Sequence, residues 1–251
     1  MQLAPRLSLP VTLAALALTA ATAFAALKPA PVVEPIDQGA AITGVKLGTT
    51  SLLSTCTLGV TGAPYYLVNY LLPPNDAYYT FIDPASCSAC GSGIVNALTA
   101  HAYLNFRAVC TQPVSVGIYG AIGDPGCYAP DESNPLCAPF NVTLSPAAAG
   151  NYNFSIPIPG GCCISQPAFL KIEFTSTAAG CATSTTIPRL ITTASCDLAC
   201  TSWNIYPGGG PDDLCVDIAM AGNPIMNVEV DCCASTPTHN RSWGTLKSSY
   251  R

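Results

Sequence analysis

The chain has 251 residues, 9 basic and 14 acidic side chains and a net charge of −5, with charged residues making up only 9% of it. So acidic and base-poor a composition argues against a nucleic-acid binder and against charge-driven docking on anionic membranes. Fourteen cysteines beside only two histidines point to disulfides formed in an oxidising compartment rather than to zinc ligands.

Residues 1–25 read as a secretory leader. Arg6 supplies the charged start, Val11 to Ala23 is apolar except for Thr12, Thr19 and Thr22, and Ala23-Phe24-Ala25 is an A-x-A cleavage site. The apolar run is too short for a comfortable span, and no later stretch approaches the ~18 apolar residues a membrane helix needs. Cleavage leaves a mature chain beginning near Ala26 with no cysteine at the cut for a lipid anchor. Only Arg6 is lost among the charged groups, so the net charge becomes −6. Residues 26–44 are Pro/Ala-rich and aperiodic, an extended lead-in, and a β-domain is expected over 45–233.

From there apolar and polar residues alternate with period two. Tyr66, Val68 and Tyr70 share a face, and Tyr78 to Ile82 is a second aromatic run. In Ile94 to Phe106, Leu98, Ala100, Ala102, Leu104 and Phe106 point one way, and Thr99, His101, Tyr103 and Asn105 the other. Val114, Val116 and Ile118 alternate, followed by short strands at Val142–Leu144, Tyr152–Ile158 and Ala168–Phe174. Further strands are expected at Leu214–Met220 and Met226–Val230. Turns are expected at Gly120–Pro135, Pro146–Gly150, Pro159–Gly161, Ala178–Gly180, Pro207–Pro211 and Gly222–Pro224. Strands of this length and spacing predict an all-β, disulfide-rich antiparallel β-sandwich.

The segments VSVGIYGA (114–121), SIPIPGGC (155–162), PAFLKIEF (167–174), IPRL (187–190), TSWNIYPGG (201–209), DDLC (212–215) and GNPIMNVEV (222–230) resemble, in order and spacing, a jelly-roll-like sandwich module of secreted bacterial proteins. The resemblance covers slightly over half the chain. It implies a strand, two turn-linked strands, a long inner strand and a final hairpin, and it implies no activity.

The disulfide candidates are Cys56, Cys87, Cys90, Cys110, Cys127, Cys137, Cys162, Cys163, Cys181, Cys196, Cys200, Cys215, Cys232 and Cys233. Cys87 and Cys90 have zinc-ligand spacing, but no second such pair follows. Cys162-Cys163 and Cys232-Cys233 are neighbours on strands, so the two members of each pair should reach different partners. Cys127 and Cys137 flank the loop DPGCYAPDESNPLC, which their pairing would close; the other pairings stay open.

Trp203 and Tyr206 flank a Gly/Pro turn and could stack on a sugar face, although an aromatic in such a corner more often packs on a disulfide. Asp212 and Asp213, with Asp217, could hold calcium, the one cofactor these loop acids would suit, though no D-x-D-x-D-G loop is present. Asp131/Glu132 and Asp212/Asp213 are the carboxylate pairs a glycosidase would need, and solvated loop acids are the simpler reading. His101 lies mid-strand within reach of Ser115 or Ser155, without a G-x-S-x-G elbow, and a plain strand histidine is the default. The expected function is therefore a non-catalytic extracellular binding or cell-surface structural module, with a surface glycan or another surface protein as partner. The alternatives are an extracellular hydrolase, either esterase or glycosidase, and a self-assembling surface-layer or filament subunit.

Residues 234–251 form a basic aromatic tail. Trp243, Leu246, Lys247 and Tyr250 would share one face of a short helix, with Arg251 at the end. The tail resembles short C-terminal motifs of the W-G-x-x-K-x-x-Y/F-R kind on some bacterial secreted proteins, which implies sorting or docking; an unstructured end is the alternative. Deleting 238–251 should change where the exported protein is retained, measured by fractionating cells and medium. Unchanged surface retention rejects the tag.

Overall fold

The computed structural model describes residues 28–37, 39–48, 55–71, 74–91, 93–175, 181, 183, 185–196 and 198–233. The leader and the C-terminal tail, with Trp243, Lys247, Tyr250 and Arg251, lie outside the described residues.

Among the described residues the chain forms fourteen strands and no α-helix. In order these are β1 (Val32–Pro35), β2 (Ile42–Lys46), β3 (Cys56–Gly59), β4 (Tyr66–Asn69), β5 (Asp76–Ile82), β6 (Val95–Phe106), β7 (Gln112–Asp124), β8 (Cys127–Leu144), β9 (Gly150–Ile164), β10 (Ala168–Phe174), β11 (Arg189–Thr192), β12 (Ser202–Tyr206), β13 (Gly209–Asp213) and β14 (Met226–Cys232). One eight-stranded sheet runs β1-β4-β11-β6-β14-β3, with β9 along β6 and β2 along β9. The six-stranded sheet runs β13-β12-β5-β10-β7-β8. All pairings are antiparallel except β2 with β9, which is parallel. Strand β9 pairs along β6 over its whole length, so β14 and β11 lie end to end on the other side.

The two sheets close on an apolar layer, giving a disulfide-rich all-β sandwich. Val95, Ala97, Ala100, Ala102, Leu104 and Phe106 of β6 and Tyr152, Phe154 and Ile156 of β9 are buried against Tyr78 and Ile82 of β5. Val114, Val116 and Ile118 of β7 and Leu170, Ile172 and Phe174 of β10 complete the layer. The small alanines of β6 leave room for the aromatic rings of β9, where Phe106 meets Phe154 edge-on at 5.6 Å. Each fully buried large side chain contributes roughly 1.5–3 kcal/mol.

Several sequence expectations change. The lead-in does not precede the sandwich: β1 and β2 are strands of the eight-stranded sheet. Within β6 a bulge between Ala97 and Thr99 shifts the face, so Ala97 rather than Leu98 points inward. The expected turn at Gly120–Pro135 is the end of the long β7–β8 hairpin, with residues 132–134 looped out of the ladder. The expected turn at Pro159–Gly161 is a bulge in a continuous β9: residues 158–161 are looped out between Pro157 and Cys162 while Gly160 and Gly161 take positive φ. Leu214–Met220 is not a strand. The Asp213 carboxylate accepts from the backbone N–H groups of Cys215 and Val216 at 2.8 and 3.1 Å, which winds the segment into turns and leaves Val216 exposed. Strand β14 therefore does not close a final hairpin but pairs with β6 and β3.

All fourteen cysteines form disulfides: 56–87, 90–232, 110–181, 127–200, 137–162, 163–233 and 196–215. The expected Cys127–Cys137 bridge does not form. Both residues lie on β8, where Cys127 sits opposite Asp124 and Cys137 opposite Ile118, too far apart along the strand to meet. The vicinal pairs do diverge: Cys162 bonds Cys137 on the other sheet, and Cys163 bonds Cys233. Phe154→Ala should lower stability by about 3–5 kcal/mol. Replacing Cys90 and Cys232 together, partners 142 residues apart, should cost about 2–5 kcal/mol. Urea unfolding followed by tryptophan fluorescence measures both; an unshifted midpoint in either rejects the role assigned here.

Candidate functional site

Polar and ionisable side chains gather at three places. The first is the outer face of the eight-stranded sheet. The ladders align Ser155, His101 and Asn227 in one row across β9, β6 and β14, with Asn153 opposite Tyr103 and Thr57 opposite Glu229. All of these side chains except Ser155, with Thr61 and Ile225, line a depression of about 420 Å³. The Asn153 amide donates to the Tyr103 hydroxyl at 2.9 Å, which turns its Oδ1 toward His101 Nδ1, 3.1 Å away. Nδ1 is thereby the donor of that contact. Ser155 Oγ lies 3.3 Å from the same nitrogen, and Glu229 Oε1 lies 3.3 Å from Nε2.

Ser155, His101 and Glu229 therefore form a line, but not a working relay. A serine nucleophile needs an unprotonated imidazole nitrogen facing it, and here that nitrogen carries the proton shared with Asn153. At this point β9 is paired on both flanks, so its amides belong to the ladders rather than to an oxyanion hole.

The second place is the outer face of the six-stranded sheet. Trp203 faces outward from β12 and, like Phe81, Tyr128 and Ile205, packs against the cluster of Ala77, Tyr79 and Phe169. The end of the β7–β8 hairpin covers this cluster: Tyr128 stacks on Phe81 at 5.7 Å, and Cys127–Cys200 pins the hairpin to the approach of β12. Trp203 is thus half-buried against this cluster. Beside it Lys171 Nζ bonds Glu132 at 2.6 Å and Glu173 at 2.9 Å, and the Tyr79 hydroxyl also donates to Glu132. Partial burial raises the Glu132 carboxyl, but the bonds from Lys171 and Tyr79 outweigh it and hold the group below its ordinary value. For Lys171 burial likewise opposes the charge, and the two glutamates prevail and raise it.

The acid pairs do not converge. Asp131 accepts from the N–H and hydroxyl of Ser133, while Glu132 turns to Lys171. Asp213 is spent on the N–H groups of Cys200, Cys215 and Val216, and Asp217 accepts from the Asp213 N–H. Asp212 accepts from the Tyr206 hydroxyl. Among the described residues no group of three or more His, Cys, Asp or Glu side chains could hold a metal. No described helix is long and apolar enough to cross a membrane.

The third place is interior and was not expected. Asp76 of β5 and Asn204 of β12 are fully buried on the inner face of the six-stranded sheet beside Tyr78. Lys28 enters from the segment before β1, and its Nζ meets Asp76 at 2.7 and 2.8 Å, the Tyr78 hydroxyl at 2.8 Å and Asn204 Oδ1 at 2.9 Å. The ring of Tyr70 lies 3.9 Å from Nζ and that of Tyr206 5.3 Å. Burial lowers the Lys28 amine to about 8, against the pull of Asp76. Even spacing of Asp76, Tyr78, Thr80 and Ile82 carries the signal for an inward Asp76; nothing local in the Pro/Ala-rich segment marks Lys28.

No family model, curated protein or solved structure matches the chain.

The Glu132–Lys171 pair links stability to pH. A carboxyl held low in the folded state contributes stability above its unfolded value, and that stability is lost as pH falls through the folded value. A lysine held high contributes below its unfolded value and loses the contribution as pH rises through the folded one. Glu132→Gln should therefore flatten the acid limb of the stability profile, measured as urea midpoint against pH, while leaving the profile between the two limbs level. An unchanged acid limb rejects the pair's contribution.

Proposed function

We propose that the chain is an exported, non-catalytic binding module on a jelly-roll-like sandwich, and that it engages a polar, hydroxyl-rich ligand such as a surface glycan. Export is inferred from the leader pattern and from seven disulfides, which persist only outside a reducing cytosol. The carrying observation is the outer-face depression. Apart from Thr61, its amide, hydroxyl, carboxylate and imidazole groups stand on neighbouring strands of the sheet. Such a surface offers donors and acceptors in fixed positions at little ordering cost, as recognition of polyhydroxyl compounds requires.

The line of Ser155, His101 and Glu229 favours a second reading, an extracellular hydrolase. It requires His101 to give up the proton directed at Asn153 and to accept from Ser155. A glycan array and a panel of ester and glycoside substrates, both applied to the oxidised mature protein, separate the two. Binding without turnover is expected, weakened about tenfold by Tyr103→Ala or Asn153→Ala, a change equal to one or two hydrogen bonds. Turnover abolished by His101→Ala overturns the binding reading. Concentration-dependent assembly without ligand would instead favour a surface-layer or filament subunit.

A further inference from the structure

The Lys28 cluster holds a nucleophile, an electrophile and a proton carrier in contact. Lys28 Nζ sits 2.9 Å from Asn204 Oδ1, one bond from the amide carbon. Asn204 Nδ2 donates to Asp76 Oδ1 at 2.8 Å and to the Ala77 carbonyl at 2.8 Å, and Nζ donates to both oxygens of the same carboxylate at 2.7 and 2.8 Å. The side chains of Lys28 and Asp76 are sealed from solvent, at 1% and 0% exposure. Asp76, Asp212, Tyr70, Tyr78 and Tyr206 are the titratable groups around the amine. As a source of cohesion this arrangement is poor, because a buried ion pair seldom outperforms apolar side chains of the same volume. As a reaction site it is complete.

We propose that Lys28 and Asn204 become joined by an intramolecular isopeptide bond that forms in the folded chain, with Asp76 carrying the protons. The Lys28 ammonium passes a proton to the Asp76 carboxylate, leaving a neutral amine and a carboxylic acid. The amine lone pair attacks Asn204 Cγ while Asp76 donates to the amide oxygen, and an N–C bond forms. Asp76 then moves a proton from Nζ to Nδ2, the oxygen returns its proton to the Asp76 carboxylate as the C=O re-forms, the Cγ–Nδ2 bond breaks, and ammonia leaves. One amide replaces another, so no oxidant or co-reactant is needed. Burial supports the first step by lowering the amine toward neutrality, and fixed contact replaces a bimolecular encounter, an advantage worth up to roughly 10⁵–10⁸ M in effective concentration. The bond would fasten the segment before β1, which belongs to one sheet, to β12 of the other.

The test is the intact mass of the exported protein after complete reduction and alkylation of its cysteines. The expected mass is that of the mature sequence less one ammonia, and a digest should give a branched peptide joining the Lys28 segment to the Asn204 segment. Full mass in the wild-type protein overturns the proposal, as does a deficit confined to a single linear peptide. Asp76→Ala keeps both partners and should restore full mass; loss of ammonia in that variant overturns the role of Asp76. Lys28→Arg, which places a non-acylating cation at the same point, should also show full mass, so the outcome does not rest on one variant's folding.

Discussion

The structure depends on one apolar layer between two sheets, and on the chain's ability to hold those sheets in a single register with very few charges. Long β6 and β9 present alanines and aromatics to the shorter β5, β7 and β10, and each side chain fits only if the strands keep their alignment. Two bridges that are themselves part of this apolar cluster fasten it. Cys137–Cys162 joins β8 to β9, and Cys56–Cys87 joins β3 to the segment after β5. The sulfur links limit the unfolded ensemble rather than add contacts, which suits a protein whose surface is built from Ser, Thr, Asn and Gly rather than from ion pairs.

Most of the sandwich was legible because period-two alternation reports directly on which face is buried. Val114, Val116, Ile118, Leu170, Ile172 and Phe174 all lie where alternation puts them. The pattern failed where a residue's partners override it. Leu214, Val216, Ile218 and Met220 alternate as a strand would, yet the Asp213 carboxylate takes the local N–H groups and bends the chain. Leu98 falls on the wrong face because a bulge adds a residue, and no local signal marks a bulge. The loop read at Gly120–Pro135 contains prolines and acids that usually mean a turn, but its flanks pair with β7 on both sides. In the candidate site, the outward placement of His101 and Tyr103 could be read, whereas the neighbours that define their chemistry, Asn153 and Glu229, come from strands far away in sequence. For Trp203 the sequence left stacking and packing both open, and one side chain of the cluster it packs on, Tyr128, comes from the β7–β8 hairpin, far away in sequence.

The inner and outer polar groups obey different electrostatics. Glu132 keeps contact with water while Lys171 is largely buried, so their attraction is partly screened and its value lies in tying the β7–β8 hairpin to β10. Lys28 and Asp76 have no such relief, and every polar atom they present is satisfied by Tyr78, Asn204 or each other. The tyrosines share that environment: burial raises the hydroxyls of Tyr70 and Tyr78, and nearby carboxylates add to it, so both rings stay neutral partners of the cation.

The adjacent cysteines at the end of β14 have a mechanical consequence. Cys232 is bonded to Cys90 and Cys233 to Cys163, whose neighbour Cys162 is bonded to Cys137. A pull on the segment that follows Cys233 therefore does not peel β14 off the sheet one ladder bond at a time. The load passes at once through sulfur into β9 and from there into β8 of the opposite sheet, so that tension arriving at one terminus is spread across both layers before any backbone pairing has to yield.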